Sequence, residues 1–507
     1  MIGVIANAAD NEVVQEFFEL FKTPWEYCRR SRNYDVVLDC GGSDSGIATC
    51  AKLCISYANP KGNSKVRQSV GRMLLYHGRQ LPIYRDCDLF PASTDPFVVD
   101  QVTQQSAGYI ERKGESTKAH IGFNLFHEIR YLLTIGQPAA NAAIPTLELH
   151  IALLRNLIVA NGILLTEIPP VPEGYKFIAC LTHDVDHPSI RQHKFDHTVL
   201  GFLLRATIGT LAGFLSGRTS LRKLLKNWVA AIKLPLVSLG LAKDFWRDFD
   251  RQYLAIEGGL PSTFFVIPFK NRPGQMANGS APEFRSAGYG AREIADSIKN
   301  VHKSGCEVGL HGIDAWCDSS AGLREMSEIR KVTGDQLIGI RMHWLYFDEA
   351  SPQHLEDAGA AYDSTVGYNE TVGYRAGTTQ VYKLLGTHNL LELPLHVMDT
   401  AMFYPTHMGL SLPEAKKALE GILDNAAEFG GCITVNWHDR SLAPERLWDD
   451  TYRVLLNELK ARGAWCVTAS QAVSWFQHRR SIAFPSDNAG SAITDFSNSP
   501  QLSSSVA

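Results

Sequence analysis

Two carboxylates and two imidazoles lie close together in the stretch "LTHDVDHP", which spans residues 181–188. Asp184 and Asp186 are separated by one residue at the end of an apolar run that predicts a buried strand. Carboxylates that close together oppose each other's ionisation unless a positive charge lies beside them. A divalent metal ion supplies such a charge, so the spacing predicts a metal site.

Several later strand-like runs also end in residues that can do chemistry. These residues are His311, Arg341, His343, His396, Asp399, His438 and Asp439. Each has a structural interpretation as a helix cap, a hydrogen-bonded core histidine or a structural ion pair, but their repeated position at strand ends makes coincidence the weaker explanation. The carboxyl ends of the strands of an α/β barrel share one face. The sequence therefore predicts one pocket that these side chains line.

Carboxylate oxygen and imidazole nitrogen are the ligands that zinc and similar divalent ions prefer. A catalytic site of this kind needs about three protein ligands and one open position for water. The metal lowers the pKa of that water and polarises a carbonyl group. A second carboxylate can then take a proton while a histidine protonates the leaving group. This set of residues predicts the hydrolysis of an amide or an ester.

The spacing of apolar runs predicts the elements that bring these residues together. Seven runs alternate with amphipathic helical segments: "YKFIACLT", "STFFVIP", "CEVGLHG", "LIGIRMH", "LLELPLHV", "CITVNWH" and "GAWCVTA". This alternation is typical of βα units and a parallel sheet. We expect an α/β fold in which a distorted (β/α)7-type barrel occupies residues 175–480, with an open doubly wound sheet as the alternative.

The preceding part of the chain predicts a separate, smaller α/β domain. At 507 residues the chain exceeds the size that one hydrophobic core usually serves. Residues 1–166 contain short strands and amphipathic helices but give no indication of their role, and the proline-rich segment 167–175 marks the boundary. The glycine pair at positions 41 and 42 indicates a turn more than a phosphate loop. Residues 481–507 have the composition of a disordered tail.

Composition and charge argue against several classes of function and location. A formal net charge of -4 gives no reason to expect a nucleic acid as partner. The ten cysteines are scattered without a CxxC pair, which favours a reducing compartment and argues against a zinc finger. The first residues lack a positively charged leader followed by an apolar stretch. We therefore expect a cytoplasmic protein, peripheral to the inner face of the membrane if it contacts a membrane at all.

A segment between the first and second strands has a composition of its own. Residues 197–243 begin with the apolar stretch "TVLGFLLRATIGTLAGFL", which Arg205 interrupts. The second half carries five basic residues among leucines and Trp228: Arg218, Arg222, Lys223, Lys226 and Lys233. This pattern predicts a helical insertion. Two interpretations remain open, a helical cap over the barrel mouth and a basic amphipathic hairpin, residues 197–240, that lies on a membrane surface.

The ordered motifs resemble those of a known family. "THDVD", "STFFV", "EVGLHG", "GIRMH", "LELPLHVMD" and "VNWHD" are similar in order and approximate spacing to the motifs of the polysaccharide deacetylases, carbohydrate esterase family 4. The resemblance spans about residues 175–480 and is greatest to a bacterial branch with a D-x-D first motif and an amino-terminal extension. It implies a distorted barrel and the metal-dependent removal of acetyl groups from N-acetylated sugars.

The resemblance also implies catalytic roles. Asp184 matches the catalytic base and Arg341 the arginine that orients it. His438 matches the histidine that assists the leaving amine, and Asp399 lies in the fourth motif. His183 replaces the aromatic residue of the first motif, where it can serve as support for the neighbouring ligands.

The metal ligands follow the family only in part. Asp186 and His311 match two ligands, but the histidine expected at position 315 is replaced by Ala315. We favour His343 as the third ligand because an imidazole then replaces an imidazole. The alternatives are His187 and Asp314, of which the second would face the same way as His311 if that segment were helical. The implied cofactor is Zn²⁺ or another divalent metal.

These observations leave more than one function open. The main hypothesis is a metal-dependent N-deacetylase whose substrate is an acetylated saccharide, either a nucleotide sugar or a lipid-linked saccharide precursor. The lost histidine favours the alternative of a catalytically weakened relative that binds a glycan or a partner in polysaccharide biosynthesis. A hydrolase of an ester is a third hypothesis, since the same groups would serve. Arg375 in "GYRAGT" can bind an anionic substrate group or hold a loop in place.

Overall fold

Two main sheets lie on either side of the proline-rich segment 167–175. The computed structural model of the protein describes residues 1–41, 51–58, 71–91, 95–114, 116–193, 196–217 and 219–484. No helix or strand lies between Ala160 and Phe177. The domain boundary expected in this segment stays a prediction.

The first sheet is mixed and has nine strands in the described part of the chain. They are β1 (Ile2–Ile5), β2 (Trp25–Tyr27), β3 (Val36–Asp39), β4 (Leu53–Tyr57), β5 (Arg72–Tyr76), β6 (Arg79–Ile83), β7 (Pro96–Asp100), β8 (Ser106–Lys113) and β9 (Ser116–Ile121). Their order is β2-β1-β3-β4-β9-β8-β7-β5-β6. The pairs from β2 to β9 are parallel and those from β9 to β6 are antiparallel.

Three helices accompany this sheet among the residues that the structure describes. They are α1 (Asn11–Phe21), α2 (Leu125–Thr134) and α3 (Thr146–Ala160). Buried apolar residues recur at helical spacing along α1, including Val13, Phe17 and Phe21, as expected of a helix that packs one face on a sheet. The prediction of a smaller amino-terminal α/β domain is confirmed in its fold class.

The second sheet is built around the strand that carries the two aspartates. The remaining strands are β10 (Phe177–Val185), β11 (Thr263–Val266), β12 (Gln275–Met276), β13 (Gly279–Ser280), β14 (Glu307–Gly312), β15 (Ile340–Met342), β16 (Tyr382–Lys383), β17 (Leu391–Glu392), β18 (Val397–Met398), β19 (Cys432–Asn436) and β20 (Ala464–Val467). The order is β15-β14-β11-β10-β19-β18, and β20 also pairs with β10. Every pair in this path is parallel.

This parallel sheet curls into a half-barrel, which confirms the predicted barrel-type α/β fold. Isolated parallel bridges from Asp363 to Ile340 and to Glu392 continue the curl beyond β15. All nine residues of β10 are buried, as expected for a central strand of a sheet that is covered on both faces. The run "LLELPLHV" does not form one strand but divides into β17 and β18, and β17 pairs with β16 in an antiparallel hairpin.

Helices surround the half-barrel. They are α4 (His197–Leu204), α5 (Thr210–Leu215), α6 (Leu221–Ser238), α7 (Phe249–Glu257), α8 (Ala295–Lys303), α9 (Ser319–Thr333), α10 (Ser351–Asp357), α11 (Asp399–Phe403), α12 (Leu412–Phe429), α13 (Asp449–Ala461) and α14 (Ala469–Ser481). Helices α4 to α6 belong to the insertion predicted over 197–243, and a π-helical segment, Arg205–Gly209, joins α4 to α5. By length and composition alone, the continuous helix His197–Leu215 could cross a membrane.

The two sheets share one continuous apolar core. Its buried members include Phe17 and Leu154 from the first region and Leu384 and Leu395 from the second. A buried arginine near the carboxyl end, Arg479, donates hydrogen bonds to four backbone carbonyls: those of Glu19, Leu20, Ile168 and Pro169. Burial lowers the pKa of Arg479 to about 10. The end of the barrel is thus tied to α1 and to the connecting segment.

Three features expected from the sequence lie wholly or partly outside the described residues. Gly42, in the predicted turn, is one of them, and Arg218 of the insertion is another. The predicted tail lies outside from residue 485 onward, while Ser481 still ends α14.

Replacing Arg479 by methionine should destabilise the fold. The substitution keeps an unbranched chain but leaves four carbonyl groups without their buried donor, so we expect the free energy of unfolding to fall by about 3 kcal/mol. Urea denaturation followed by circular dichroism measures this change. Arg453→Met on the exposed side of α13 is the matched control and should change stability by less than about 0.5 kcal/mol. Equal midpoints for the two variants would contradict the prediction.

Candidate active site

Side chains along a strand point alternately to its two faces, and this alternation along β10 brings the two aspartates to the same polar residues. Side chains two residues apart point to the same face, so Thr182, Asp184 and Asp186 line the inside of the half-barrel. His183 points the other way, where its ring lies 3.8 Å from the ring of Tyr253 on α7. The D-x-D spacing therefore brings both carboxylates to one site.

Asp184 is a buried carboxylate held by a buried guanidinium. Arg341 Nη1 donates to Asp184 Oδ1 at 3.0 Å and to Thr182 Oγ1 at 2.6 Å. Arg341 also donates to the backbone carbonyl and the hydroxyl of Ser364. Asn436 Nδ2 donates to Asp184 Oδ2 at 2.7 Å, and Asn436 Oδ1 accepts the backbone N–H of Asp184. The orientation of Asp184 is thus fixed by neighbours from β15 and β19.

Asp186 is surrounded by three imidazoles. Its Oδ1 lies 3.3 Å from His311 Nε2 and 3.7 Å from His343 Nε2, and its Oδ2 lies 3.7 Å from His438 Nε2. Burial by itself raises the pKa of Asp186, but the neighbouring histidines, His343 most strongly, lower it well below its ordinary value. The Oδ1 atom is buried and accepts no hydrogen bond from any described residue. This oxygen is therefore available to a cation.

The two nearest histidines present nitrogen atoms to the same point. His311 Nδ1 donates to the backbone carbonyl of Arg341 at 2.9 Å, which leaves the lone pair of Nε2 directed to Asp186. Burial lowers the pKa of His343 well below its ordinary value. The ligand atoms of Asp186, His311 and His343 all lie within 4.8 Å of one another. One carboxylate oxygen and two imidazole nitrogens fit a zinc-type ion.

The other two residues weighed as third ligand lie outside this group. The strand β14 ends at Gly312, so the segment from His311 to Asp314 is not helical, and the condition under which Asp314 would face the same way as His311 is not met. Asp314 Oδ1 instead accepts the backbone N–H of Gln275 at 2.6 Å. His187 Nδ1 lies 3.1 Å from a ring nitrogen of His193.

A backbone turn places His343 next to Asp186. Trp344 and Leu345, the two residues after it, have φ values of 65° and 54°. These values lie in the left-handed region, which non-glycine side chains rarely adopt and which costs about 1–3 kcal/mol per residue. The chain therefore turns sharply after β15.

Beside the second carboxylate oxygen of Asp186, His438 forms a dyad with Asp399. His438 Nδ1 lies 2.6 Å from Asp399 Oδ1, and Asp399 Oδ2 accepts the backbone N–H of His438 and the hydroxyl of Ser441. Burial by itself lowers the pKa of His438, but Asp399 raises it to about 10. His438 is therefore an imidazolium at neutral pH and directs its Nε2 proton into the site.

Two residues from the sequence prediction are not part of the site. His396 donates from Nε2 to the carbonyl of Thr378 and accepts the backbone N–H of Thr434, and burial lowers its pKa to about 4. Arg375 packs on the ring of Tyr368 and contacts the carbonyl of Ile135, which supports the loop interpretation. Asp439 lies beside the site, where it accepts the backbone N–H of His187.

A pocket of about 170 Å³ opens onto Asp186 and His343. Three arginines, Arg205, Arg285 and Arg440, contribute to its lining. Arg285 Nε and Arg440 Nη1 are buried without an acceptor among the described residues. Guanidinium N–H donors that have no acceptor favour an anionic ligand.

The sequence prediction missed several residues that support the site. Asn436 orients Asp184, Glu257 holds the ring of His183 at 2.8 Å, and Ser441 contacts Asp399. The available signal for Asn436 was its position as an amide side chain at the end of the buried strand "CITVN". Glu257 and Ser441 come from a helix and a loop, and no spacing pattern marks them.

Among the comparisons with known proteins, only the search of solved structures found similar proteins. No family model matches the chain, and no curated protein matches its sequence. A structure described as a polysaccharide deacetylase from Mycobacterium smegmatis is 18% identical over 63% of this chain and 99% of its own, with a TM-score of 0.39. Agd3, described as a novel carbohydrate deacetylase, is 10% identical over 94% of this chain and 87% of its own, with a TM-score of 0.35.

An allantoinase, Puue, gave comparable values. It is 11% identical over 62% of this chain and 94% of its own, with a TM-score of 0.38. Structures named as carbohydrate deacetylases are thus among those similar to this chain.

Removing the guanidinium of Arg341 should destabilise the protein through Asp184. Arg341→Met leaves a buried carboxylate without its cation, and we expect the free energy of unfolding to fall by about 3–5 kcal/mol. Adding Asp184→Asn removes the uncompensated charge, so the double variant should recover part of that loss. Urea denaturation of the two single variants and the double variant gives the coupling energy. Additive effects would show that the pair does not stabilise the site as described.

Proposed function

We propose that the protein is a metal-dependent hydrolase that removes the acetyl group from an N-acetylated sugar. The observation that carries the proposal is the buried Asp186 Oδ1, which has no donor among the described residues and lies within 4 Å of two imidazole nitrogens. Asp186, His311 and His343 would hold the ion, with zinc as our choice among divalent metals. When bound there, the metal supplies a Lewis acid that polarises the amide carbonyl and acidifies a water molecule.

Asp184 is placed to act as the general base. Its Oδ2 lies 3.8 Å from His311 Nε2, so its carboxylate borders the proposed ligands without being one of them. Arg341 and Asn436 prevent it from rotating away. Asp184 would accept a proton from the water molecule as the oxygen attacks the acetyl carbonyl.

His438 is placed to act as the general acid. The dyad with Asp399 keeps it protonated, and its Nε2 lies 3.7 Å from Asp186 Oδ2, whereas His343 is near Oδ1. It would deliver its proton to the sugar nitrogen as the bond from carbon to nitrogen breaks, which releases acetate and a free amine. A base and an acid on two sides of one proposed metal position favour hydrolysis over simple binding.

In the sequence, Ala315 at the position of an expected metal-binding histidine favoured the alternative hypothesis, a catalytically weakened relative that binds a glycan or a partner. Ala315 is fully buried and offers no ligand. His343 supplies an imidazole from the turn after β15, which supports the hydrolase instead. The binding protein remains the second candidate because of this departure, and the measurements below distinguish the two.

We also propose that the substrate carries an anionic group close to the acetylated sugar. Arg440 is 8% exposed, has no carboxylate partner among the described residues and lines the pocket beside Asp186. A phosphate can take up its free N–H donor, as well as that of Arg285. Nucleotide sugars and lipid-linked saccharide precursors both carry a phosphate group attached to the sugar.

Metal content tests the proposed ligands. The purified wild type should contain about one zinc per chain by plasma mass spectrometry. His311→Ala and His343→Ala should lose it because each removes one of three ligands. Asp314→Ala is the matched control and should retain the metal, since Asp314 binds Gln275 instead. Loss of zinc in Asp314→Ala with retention in His343→Ala would overturn the ligand set.

Acetate release tests the reaction. The wild type should release acetate from a nucleotide-linked N-acetylhexosamine, and Asp184→Asn should lower kcat by about 10²–10⁴-fold with its zinc retained. Asp357→Asn, at an exposed position of α10, should leave the rate unchanged. Binding of the sugar without acetate release, in a zinc-loaded wild type, would favour the binding protein.

Arg440→Gln tests the anionic group on the same substrate. It should raise KM for the nucleotide-linked sugar by about 10–100-fold, which corresponds to one charge-assisted hydrogen bond. For the free N-acetylhexosamine the variant and the wild type should have equal KM values. An equal effect on both substrates would show that Arg440 does not recognise phosphate.

A further inference from the structure

The insertion exposes an unusual amount of apolar surface. Of 24 large apolar residues that are exposed in the described chain, 14 lie between Leu200 and Leu241. Scattered exposed leucines are normal on a soluble protein, but a concentration of this kind marks an interaction surface. We call α4, the π-helical segment, α5 and α6 together the helical hairpin.

Each arm of the helical hairpin has two apolar stripes. The inner stripe packs on the barrel in a buried cluster with Trp246 and Ala443, and its members are Val199, Phe202, Ala206, Ala230, Leu234 and Val237. The outer stripe faces away from the protein. On the first arm it comprises Leu200, Leu204, Ile208, Leu211 and Leu215, and on α6 it comprises Leu221, Leu225, Val229, Ile232 and Leu236. A helix that is apolar on opposite faces is expected inside a protein or in contact with lipid.

The charged residues of this segment are all basic. Residues 197–243 contain seven lysines and arginines and no aspartate or glutamate, in a chain of net charge -4. Arg205 and Lys223 pair with Glu445 and Asp450 of the barrel. Three exposed cations remain on α6: Arg222, Lys226 and Lys233. Their spacing places all three along one edge of the outer stripe.

We infer that the helical hairpin docks the protein on the surface of a membrane that contains anionic lipids. Apolar side chains would enter the acyl boundary while the three cations contact anionic headgroups, which is the arrangement of interfacial amphipathic helices. The inner stripe and the pair of Arg205 with Glu445 keep the first arm on the barrel, so it lies on the membrane and does not cross it.

The position of the hairpin connects this surface to the pocket. His197, Thr198 and Arg205 of the first arm line the pocket that opens onto Asp186. A saccharide attached through phosphate to a membrane lipid would therefore meet the arginines of the pocket without leaving the bilayer. This choice of a lipid-linked substrate rests on the proposed function, whereas the docking itself does not.

Sedimentation with vesicles tests the docking. The full-length protein should bind vesicles of equal parts phosphatidylglycerol and phosphatidylcholine, and added salt should weaken the binding. Arg222→Gln/Lys226→Gln/Lys233→Gln should weaken it on the order of 100-fold, from about a factor of five for each charge. Ile208→Asn/Ile232→Asn, at positions 65% and 76% exposed, should weaken it at least about tenfold.

Leu164→Asn/Leu337→Asn is the matched control. These leucines are 99% and 81% exposed outside the hairpin, so this variant should bind vesicles as the wild type does. Failure of the wild type to bind, or equal binding by the triple charge variant, would overturn the proposal. So would a dimer in light scattering that Ile208→Asn/Ile232→Asn abolishes while vesicles have no effect. Acetate release from the soluble nucleotide-linked sugar needs no vesicles, so failure of docking and failure of the proposed reaction are distinguishable.

Discussion

The negative charge of two aspartates on one buried strand is the constraint on which the rest of the site depends. A buried carboxylate without a counter-charge is costly, so each needs its own partner. Asp184 has the guanidinium of Arg341, and Asp186 has the imidazoles around it. These partners come from β14, β15 and the loop after β19, which the strand order places on both sides of β10. The strand order of the half-barrel therefore determines which charged groups neutralise the two aspartates.

Much of this arrangement follows from sequence because parallel strands impose simple rules. Apolar runs located the strands of the half-barrel, and the polar residue at each strand end indicated which side chains meet. The sequence did not decide between His343 and Asp314, because that depends on a left-handed turn at Trp344 and on where β14 stops. Glu257 and Ser441 also escaped prediction, since their contacts with His183 and Asp399 join parts of the chain that no periodicity relates.

The amino-terminal region shows a different limit of sequence reasoning. Its fold class could be predicted from short strands and an amphipathic helix, but its close association with the barrel could not. The shared core and the hydrogen bonds of Arg479 are contacts between residues more than 300 positions apart. The proline-rich connection, read alone, resembles a linker between independent units. Physically, the region covers apolar surface of the barrel that would otherwise be in water.

The place of β10 in the sheet has a consequence for biosynthesis. This strand is complete at residue 185, yet it pairs with β19 at residues 432–436 and with β20 at residues 464–467. Such distant pairings raise the contact order and slow the search for the native fold. During translation the amino-terminal sheet can assemble first, while the strand with the two aspartates keeps an open edge until almost the whole chain has left the ribosome. The site therefore receives its last partners, Asn436 and His438, only after most of the chain has been synthesised.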